Sequence, residues 1–227
     1  MASSNADDGF YWNKQLKTRI ARYNQHSRIS LREMNLIDKD IPMIINEALI
    51  NKQCTELDLS SNRFTFEGIR LLANTFDQNL ISLKMIDLSS NQLGDESIRY
   101  ITTALRMYPL LTHLRLGRNS ITDIGAQYLA GLLSTNTRLT LIELEYNNIT
   151  SQGMIVLAQA ILCSNLKYFY IGNNRQVNDE GVESLRDMIR KATDLLAISL
   201  NDIDFSQKCK EKLGQVAKTK HRLTLYL

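Results

Sequence analysis

Apolar residues return along this chain in a fixed nine-place frame. In Leu111-Thr-His-Leu-Arg-Leu-Gly-Arg-Asn119, leucines hold the first, fourth and sixth places and an asparagine closes the ninth. The same frame stands at Cys54–Asn62, Leu83–Asn91, Leu139–Asn147 and Leu166–Asn174, and in degraded form at His26–Met34 and Leu195–Ile203. The closing residues are 34, 62, 91, 119, 147, 174 and 203, a period of 27 to 29 residues. A period in this range predicts a solenoid. Within each frame the fourth and sixth places alternate with a polar fifth, the period of a short strand. Leu114 and Leu116 therefore point inward and Arg115 outward. One strand per unit, stacked in parallel, buries leucines that no unit could bury alone.

The asparagine falls where the chain turns out of the strand and leaves backbone groups without ladder partners. Its side chain carries a donor and an acceptor, so stacked copies can bond the turns on either side. The predicted ladder is Asn62, Asn91, Asn119, Asn147 and Asn174. Met34 and Ile203 offer neither group, and the ladder is expected to stop at them.

After each turn the apolar period changes from two to that of a helix. Ala126, Leu129, Ala130 and Leu133 lie on one helical face, and Thr122 and Asp123 are good helix N-cap types. Gly68, Gly125 and Gly153 each stand six residues after the asparagine; Gly181 does so with one residue inserted, and Ser97 replaces it in the third repeat. A small residue there predicts close approach of helix to strand layer. Residues 10–25 read as an amphipathic capping helix, with Trp12, Leu16, Ile20 and Tyr23 on its apolar stripe. Ser206–Lys218, with Cys209, Leu213 and Val216, reads as the last helix. Residues 221–227 read as a closing strand with Leu223 and Leu225 inward, in a register the spacing leaves open. The expected architecture is an α/β solenoid: a curved horseshoe with parallel strands on the concave face and helices on the convex face. It has about seven repeats of about 28 residues plus caps. The tail and capping helix occupy 1–25 and the repeat domain 26–227.

Asn-x-Ile-x-x-x-Gly-x-x-x-Leu-Ala, at Asn119–Ala130 and again at Asn147–Ala158, resembles the ribonuclease-inhibitor-like class of leucine-rich repeats. That class includes ribonuclease inhibitors, the sensor ends of NOD-like receptors, Ran GTPase-activating proteins and several bacterial host-targeted effectors. The resemblance covers roughly residues 26 to 227 and rests on scaffold residues, so it implies a fold and a binding surface rather than a reaction. GTPase activation enters only by this analogy. The longer array and acidic tail of Ran GTPase-activating proteins are missing, as is the large catalytic domain that follows the repeats in bacterial leucine-rich-repeat ubiquitin ligases. No functional residue is carried over.

Composition agrees with one elongated domain. Of 227 residues 44% are hydrophobic, and ten glycines and two prolines (Pro42 and Pro109) leave no room for a flexible linker. No run approaches the ~18 apolar residues of a membrane span. The polar, acidic Met1–Asp8 segment does not open like a signal peptide. Three widely spaced cysteines, an odd number, predict a reduced, cytoplasmic protein. Cys54 fills a leucine place, and Cys163, with no base in view, reads as a buried thiol rather than a nucleophile. Asn148-Ile149-Thr150 matches a glycosylation sequon but follows a ladder turn and reads as a chance match.

Charge is uneven. Residues 1–30 hold five Lys/Arg against two Asp/Glu, residues 205–222 six against one, and the middle sixteen against twenty-one. Lys208, Lys210, Lys212, Lys218, Lys220 and Arg222 read as the solvated face of a capping helix and its exit; the alternative is a site for nucleic acid or anionic lipid. No metal-ligand, phosphate-loop, dinucleotide or Cys-x-x-Cys motif occurs, and His26, His113 and His221 lie in separate units. No catalytic residue, metal or cofactor is expected. The outward strand places remain. They run from acidic (Glu56, Asp58, Asp87) through basic (Arg115, Arg118) to acidic and aromatic (Glu143, Glu145, Tyr146, Tyr168, Tyr170). Tyrosine and arginine concentrate binding energy at interfaces, although tyrosine also simply suits half-exposed strands. The chain is expected to be a monomeric, non-enzymatic, intracellular scaffold that binds a protein through this concave face. The alternatives are a GTPase-activating protein and a basic-ended adaptor for anionic lipid or nucleic acid.

Overall fold

A computed structural model describes residues 12–76 and 81–227. Eight three-residue strands form one sheet: β1 Arg28–Ser30, β2 Glu56–Asp58, β3 Met85–Asp87, β4 His113–Arg115, β5 Leu141–Glu143, β6 Tyr168–Tyr170, β7 Ala197–Ser199 and β8 Thr224–Tyr226. They lie in sequence order and every neighbouring pair is parallel. Each strand occupies the third to fifth places of its frame, so the repeats stack without slippage. β8 pairs Thr224 with Ala197, an offset of 27 residues that equals the one from Leu141 to Tyr168. The closing strand is thus a full eighth rung.

Helix α1 Lys14–Ala21 precedes the sheet, and helices return the chain between strands: α2 Ile41–Ile44, α3 Phe66–Ala73, α4 Gly94–Leu105, α5 Asp123–Leu133, α6 Ser151–Ile161, α7 Val182–Lys191 and α8 Gln207–Lys218. α2 runs on as a π-helical segment, Ile45–Asn51, where Lys52 N donates to Glu47 O. Strands stack about 4.8 Å apart and packed helices about 8–10 Å apart. Each repeat is therefore wider on its helical side, and the sheet lines the inside of the bend. The frame leucines Leu111, Leu114 and Leu116 are fully buried between the two layers.

The asparagine ladder follows one rule. Asn119 Nδ2 donates to Leu116 O of its own turn at 3.1 Å and to Leu88 O of the repeat before it at 2.9 Å. Asn147 Oδ1 accepts from the backbone N–H groups of Asn119 and Ile121, both at 3.0 Å. Asn62, Asn91 and Asn174 bond their turns likewise. Asn62 Oδ1 also accepts from Met34 N at 3.1 Å, so the first turn is served from behind although methionine cannot extend the ladder.

A second ladder runs along the helix starts. Asp38, Asp95 and Asp123 each accept both the N–H and the hydroxyl of a threonine 27 residues later: Thr65, Thr122 and Thr150. Asp179 accepts from Ser206 N at 2.8 Å over the same interval. Each of these threonines in turn caps its helix, Thr122 accepting from Ile124 N. This ladder gives the small residue at the helix start its reason. A Cβ on Gly68, Gly125 or Gly153 would fall on the carboxylate of Asp38, Asp95 or Asp123, and at Gly125 and Gly153 on the isoleucine of its own turn as well. The close approach is to a neighbouring repeat's carboxylate, not only to the strand layer. In the repeat before Ser97 this aspartate place is held by Phe66. Ser97 meets no carboxylate and donates to Leu93 O at 2.6 Å.

At the N-terminal end Leu16 and Ile20 of α1 are buried in the common core, and Tyr23 Oη donates to Ser30 O at 2.9 Å. Trp12 does not share their stripe. Asn13 caps α1 by accepting from Leu16 N, so Trp12 precedes the helix, stands 53% exposed and has Lys17 Nζ 4.7 Å above its ring. Phe10 and Tyr11, read as part of this helix, and the polar Met1–Asp8 segment lie outside the described residues. At the other end Ser206 caps α8, Leu213 is buried, and Cys209, Val216, Leu223 and Leu225 pack against the core. Cys54 is buried in its leucine place, and burial pushes its thiol pKa up to about 12. Cys163 corrects the sequence reading. α6 ends at Ile161, and Cys163 is exposed in the loop beyond it.

Candidate functional site: the strand face and its rim

The inner face presents the third and fifth places of every strand. The fifth-place row is Ser30, Asp58, Asp87, Arg115, Glu143, Tyr170 and Ser199, and Tyr226 extends it in β8. Tyr226 was missed in the sequence because the last frame was not carried on to start at Arg222. The predicted residues behave differently along this row. Asp58 is only 5% exposed. Its carboxylate accepts from the Ser60 hydroxyl and amide and from Ser30 Oγ, with Arg28 at 3.7 Å. Burial raises its pKa, and these bonds and the Arg28 charge outweigh burial and leave it below the usual carboxylate value. Asp58 is a self-satisfied cluster, with little left to offer a ligand.

Asp87 and Arg115 face each other across neighbouring strands, Nη1 to Oδ2 at 3.8 Å. Glu143 follows in the next strand and lies over Gly117, where a Cβ would strike its Oε1. Burial, then Asp87 and Glu145, push the Glu143 carboxyl up to about 7 against the pull of Arg115. Glu145 lies in a second hollow, beside Gly172, and its Oε1 accepts from Ser199 Oγ at 2.6 Å. Tyr168 and Tyr170 stand side by side with ring centroids 6.5 Å apart. Burial first, then Tyr226 two strands along the row and the neighbouring Tyr168, raise the Tyr170 phenol. The fold therefore brings Asp87, Arg115, Glu143, Glu145, Tyr168 and Tyr170 into one continuous patch. Ser199, Gly117 and Gly172 complete it. A sequence signal for the glycines existed, since they break the seventh place where other repeats carry a side chain.

Arg118 and Tyr146 do not join that patch. They hold the eighth place, where the chain leaves the strand with positive φ: Glu33, Ser61, Ser90, Arg118, Tyr146, Asn173 and Asp202 all lie between 54° and 60°. That conformation turns them out to the rim. There the Arg118 guanidinium stacks 3.6 Å from the Tyr146 ring centroid.

His113 is half-buried on β4, and burial together with Arg115 lowers its pKa. Among the described residues no group of three or more His, Cys, Asp or Glu could hold a metal ion, and no helix is long and apolar enough to cross a membrane. In the basic C-terminal run Lys212 pairs with Glu183 at 3.5 Å and Lys220 reaches Ala192 O.

A family model described as "Leucine Rich repeat" matches residues 55–73, 79–101, 109–130, 135–158 and 162–185. A comparison with curated protein sequences finds no match. Among solved structures the chain is similar to the leiomodin-1 actin-binding site 2, at 17% identity and TM-score 0.54 over 68% of this chain and 88% of that one. It is also similar to the tropomodulin C-terminal domain of Caenorhabditis elegans, at 17% identity and TM-score 0.52 over 80% of this chain and 93% of that one. Shared topology, the five matched repeats and the asparagine ladder agree: the chain is a leucine-rich-repeat solenoid.

Proposed function

We propose that this protein is a non-enzymatic intracellular scaffold that binds a protein partner through the inner strand face. The binding patch is Asp87, Arg115, Glu143, Glu145, Tyr168 and Tyr170, with Asp58 at its acidic margin and Arg118 and Tyr146 on the rim. The observation that carries this reading is the pair Tyr168 and Tyr170 side by side on β6, with Tyr226 two strands along the same row and Glu145 in electrostatic reach. Rigid aromatic rings beside half-buried carboxylates are not required by the core beneath them, and such anchors concentrate binding energy. In the same reading the repeats are of the ribonuclease-inhibitor-like class, supported by the helix in every repeat and by Gly68, Gly125, Gly153 and Gly181 at the start of four of them. Residues 1–25 are the tail and capping helix and 26–227 the repeat domain, supported by the buried Leu16 and Ile20.

The test is affinity capture with the wild-type chain and with Tyr168→Ala/Tyr170→Ala, followed by titration of the recovered protein. The leiomodin domain to which the chain is similar is called an actin-binding site, which makes actin the first purified protein to titrate. Loss of a hot-spot residue costs ~2 kcal/mol or more, about thirtyfold in affinity. Arg99→Glu on α4 is the control, since Arg99 pairs with Glu96 on the helical side. Full affinity in the double variant with loss in the control moves the site off the strand face.

A further inference from the structure

The turns that follow β4, β5 and β6 leave an open groove of about 550 Å³ on the rim. Its lining includes Arg118, Ser120, Asn148, Asn173, Arg175 and Gln176. These side chains offer two guanidiniums, a hydroxyl and three carboxamides, and no carboxylate lines the groove. The acids nearest in sequence accept hydrogen bonds elsewhere: Glu145 from Ser199, Asp123 from Thr150 and Asp179 from Ser206. Among the described residues neither Arg118 nor Arg175 forms an ion pair, so the charge of both guanidiniums is open to an anion in the groove they share.

Two further features mark the edge of the groove. The Arg118 guanidinium carbon lies 3.6 Å from the Tyr146 ring centroid, a cation–π contact that holds the charge at the groove's edge. Both residues adopt left-handed backbone, φ 56° and 57°. All seven repeats are left-handed at this place, a conformation that suits small or polar residues better than bulky ones. Four of the other five repeats place Ser, Asn or Asp there. The largest side chains of the row thus stand on adjacent repeats, stacked on each other, at the edge of the one groove they share.

We infer that this groove is an oxyanion site for a phosphate monoester, carried on a phosphorylated side chain of a bound protein. A doubly charged tetrahedral group suits several converging donors, and planar guanidinium presents paired N–H groups to it. The choice of a protein-borne phosphate over a lipid headgroup rests on the strand-face reading, because a protein lying on the inner face crosses this rim. The groove's lining carries no aliphatic side chain to enter a bilayer, and its one exposed ring, Tyr146, lies against the Arg118 guanidinium. The phosphate site itself does not depend on that reading.

The experiment is a titration of the full chain at about 0.15 M salt with N-acetyl-Gly-phosphoserine-Gly-amide, the unphosphorylated peptide, and vesicles carrying phosphatidylinositol phosphate. Binding is followed by the arginine Nε–H resonances. The expected result is saturable shifts at Arg118 and Arg175 with the phosphopeptide alone, weakened about tenfold or more in Arg118→Gln and in Arg175→Gln. Tyr168→Ala/Tyr170→Ala should bind it as the wild type does, which separates this site from the strand-face site. Three results overturn the proposal: equal shifts at Arg22 and Arg222, unchanged affinity in both arginine variants, or binding to the vesicles without binding to the phosphopeptide.

Discussion

Ser199 Oγ donates to Glu145 Oε1 at 2.6 Å across 54 residues of sequence and over an intervening repeat. The bond skips a rung because Gly172, between them, has no side chain to fill the space. A Cβ there would meet Asn201 O at 2.8 Å, Asn201 N at 3.0 Å and Glu145 Oε1 at 3.3 Å. Gly172→Ala should therefore strain the β7 exit and loosen Glu145, at about 1–3 kcal/mol as for other overpacked sites. Urea unfolding of Gly172→Ala beside Gly214→Ala checks this. Gly214 has nothing within 4 Å of its added Cβ, and its variant should match or exceed the wild type.

Glu143 should make stability fall as pH rises toward neutrality. Its carboxyl is raised from 4.5 to about 7 in the folded chain. The folded state then binds the proton more tightly than the unfolded state. The resulting stabilisation is fully present below the unfolded value and is lost as pH rises through about 7. Glu143→Gln keeps the shape without the charge. Relative to the variant, the wild type should lose thermal stability between about pH 5 and about pH 8. Parallel melting curves at both pH values would reject this assignment.

Asn91→Ala should be costly and Asn201→Ala nearly silent. Asn91 Nδ2 donates to Leu59 O and Leu88 O, and its Oδ1 accepts from Phe64 N. Truncation leaves these groups buried and unpaired, at about 1–3 kcal/mol each. Asn201 is exposed beyond the ladder. Similar denaturation midpoints for the two variants would contradict the ladder.

The helix-start ladder makes a coupled prediction. Asp95 accepts from Thr122 N, Thr122 Oγ1 and Gly125 N. Asp95→Ala removes all three bonds and should cost about 1–3 kcal/mol. Gly125→Ala should be severe alone, since its Cβ meets both Asp95 and Ile121, and milder on the Asp95→Ala background. A double-mutant cycle reads that coupling, and strict additivity would show that the carboxylate is not what requires glycine.

Two substitutions in the N-terminal segment should separate cleanly. Ile20→Ala opens a cavity in the end of the core and should cost about 2–5 kcal/mol. Trp12→Ala removes an exposed ring and should stay within about 0.5 kcal/mol. Equal losses in thermal unfolding would mean that Trp12 packs on the solenoid after all.

The repeating frame by itself determined the strands, their parallel order, the asparagine ladder and the inward leucines. Each of these follows from a rule that repeats every 27 to 29 residues and involves only residue type and place. The same rule placed Asp58, Asp87, Arg115, Glu143 and Tyr170 on one row. Only the tertiary structure decided what each could do there. Asp58 is consumed by Ser30, Ser60 and Arg28, whereas Glu143 and Glu145 sink into hollows left by glycines of other repeats. Trp12 and Cys163 turned outward because α1 begins only at Lys14 and α6 ends at Ile161, inside the spans that periodicity suggested. Arg118 and Tyr146 left the face for the rim because the eighth place is left-handed. The physical reason is common to all of them. Burial and pairing are set by side chains one or two rungs away, so they depend on which particular residues the stacking brings opposite each other.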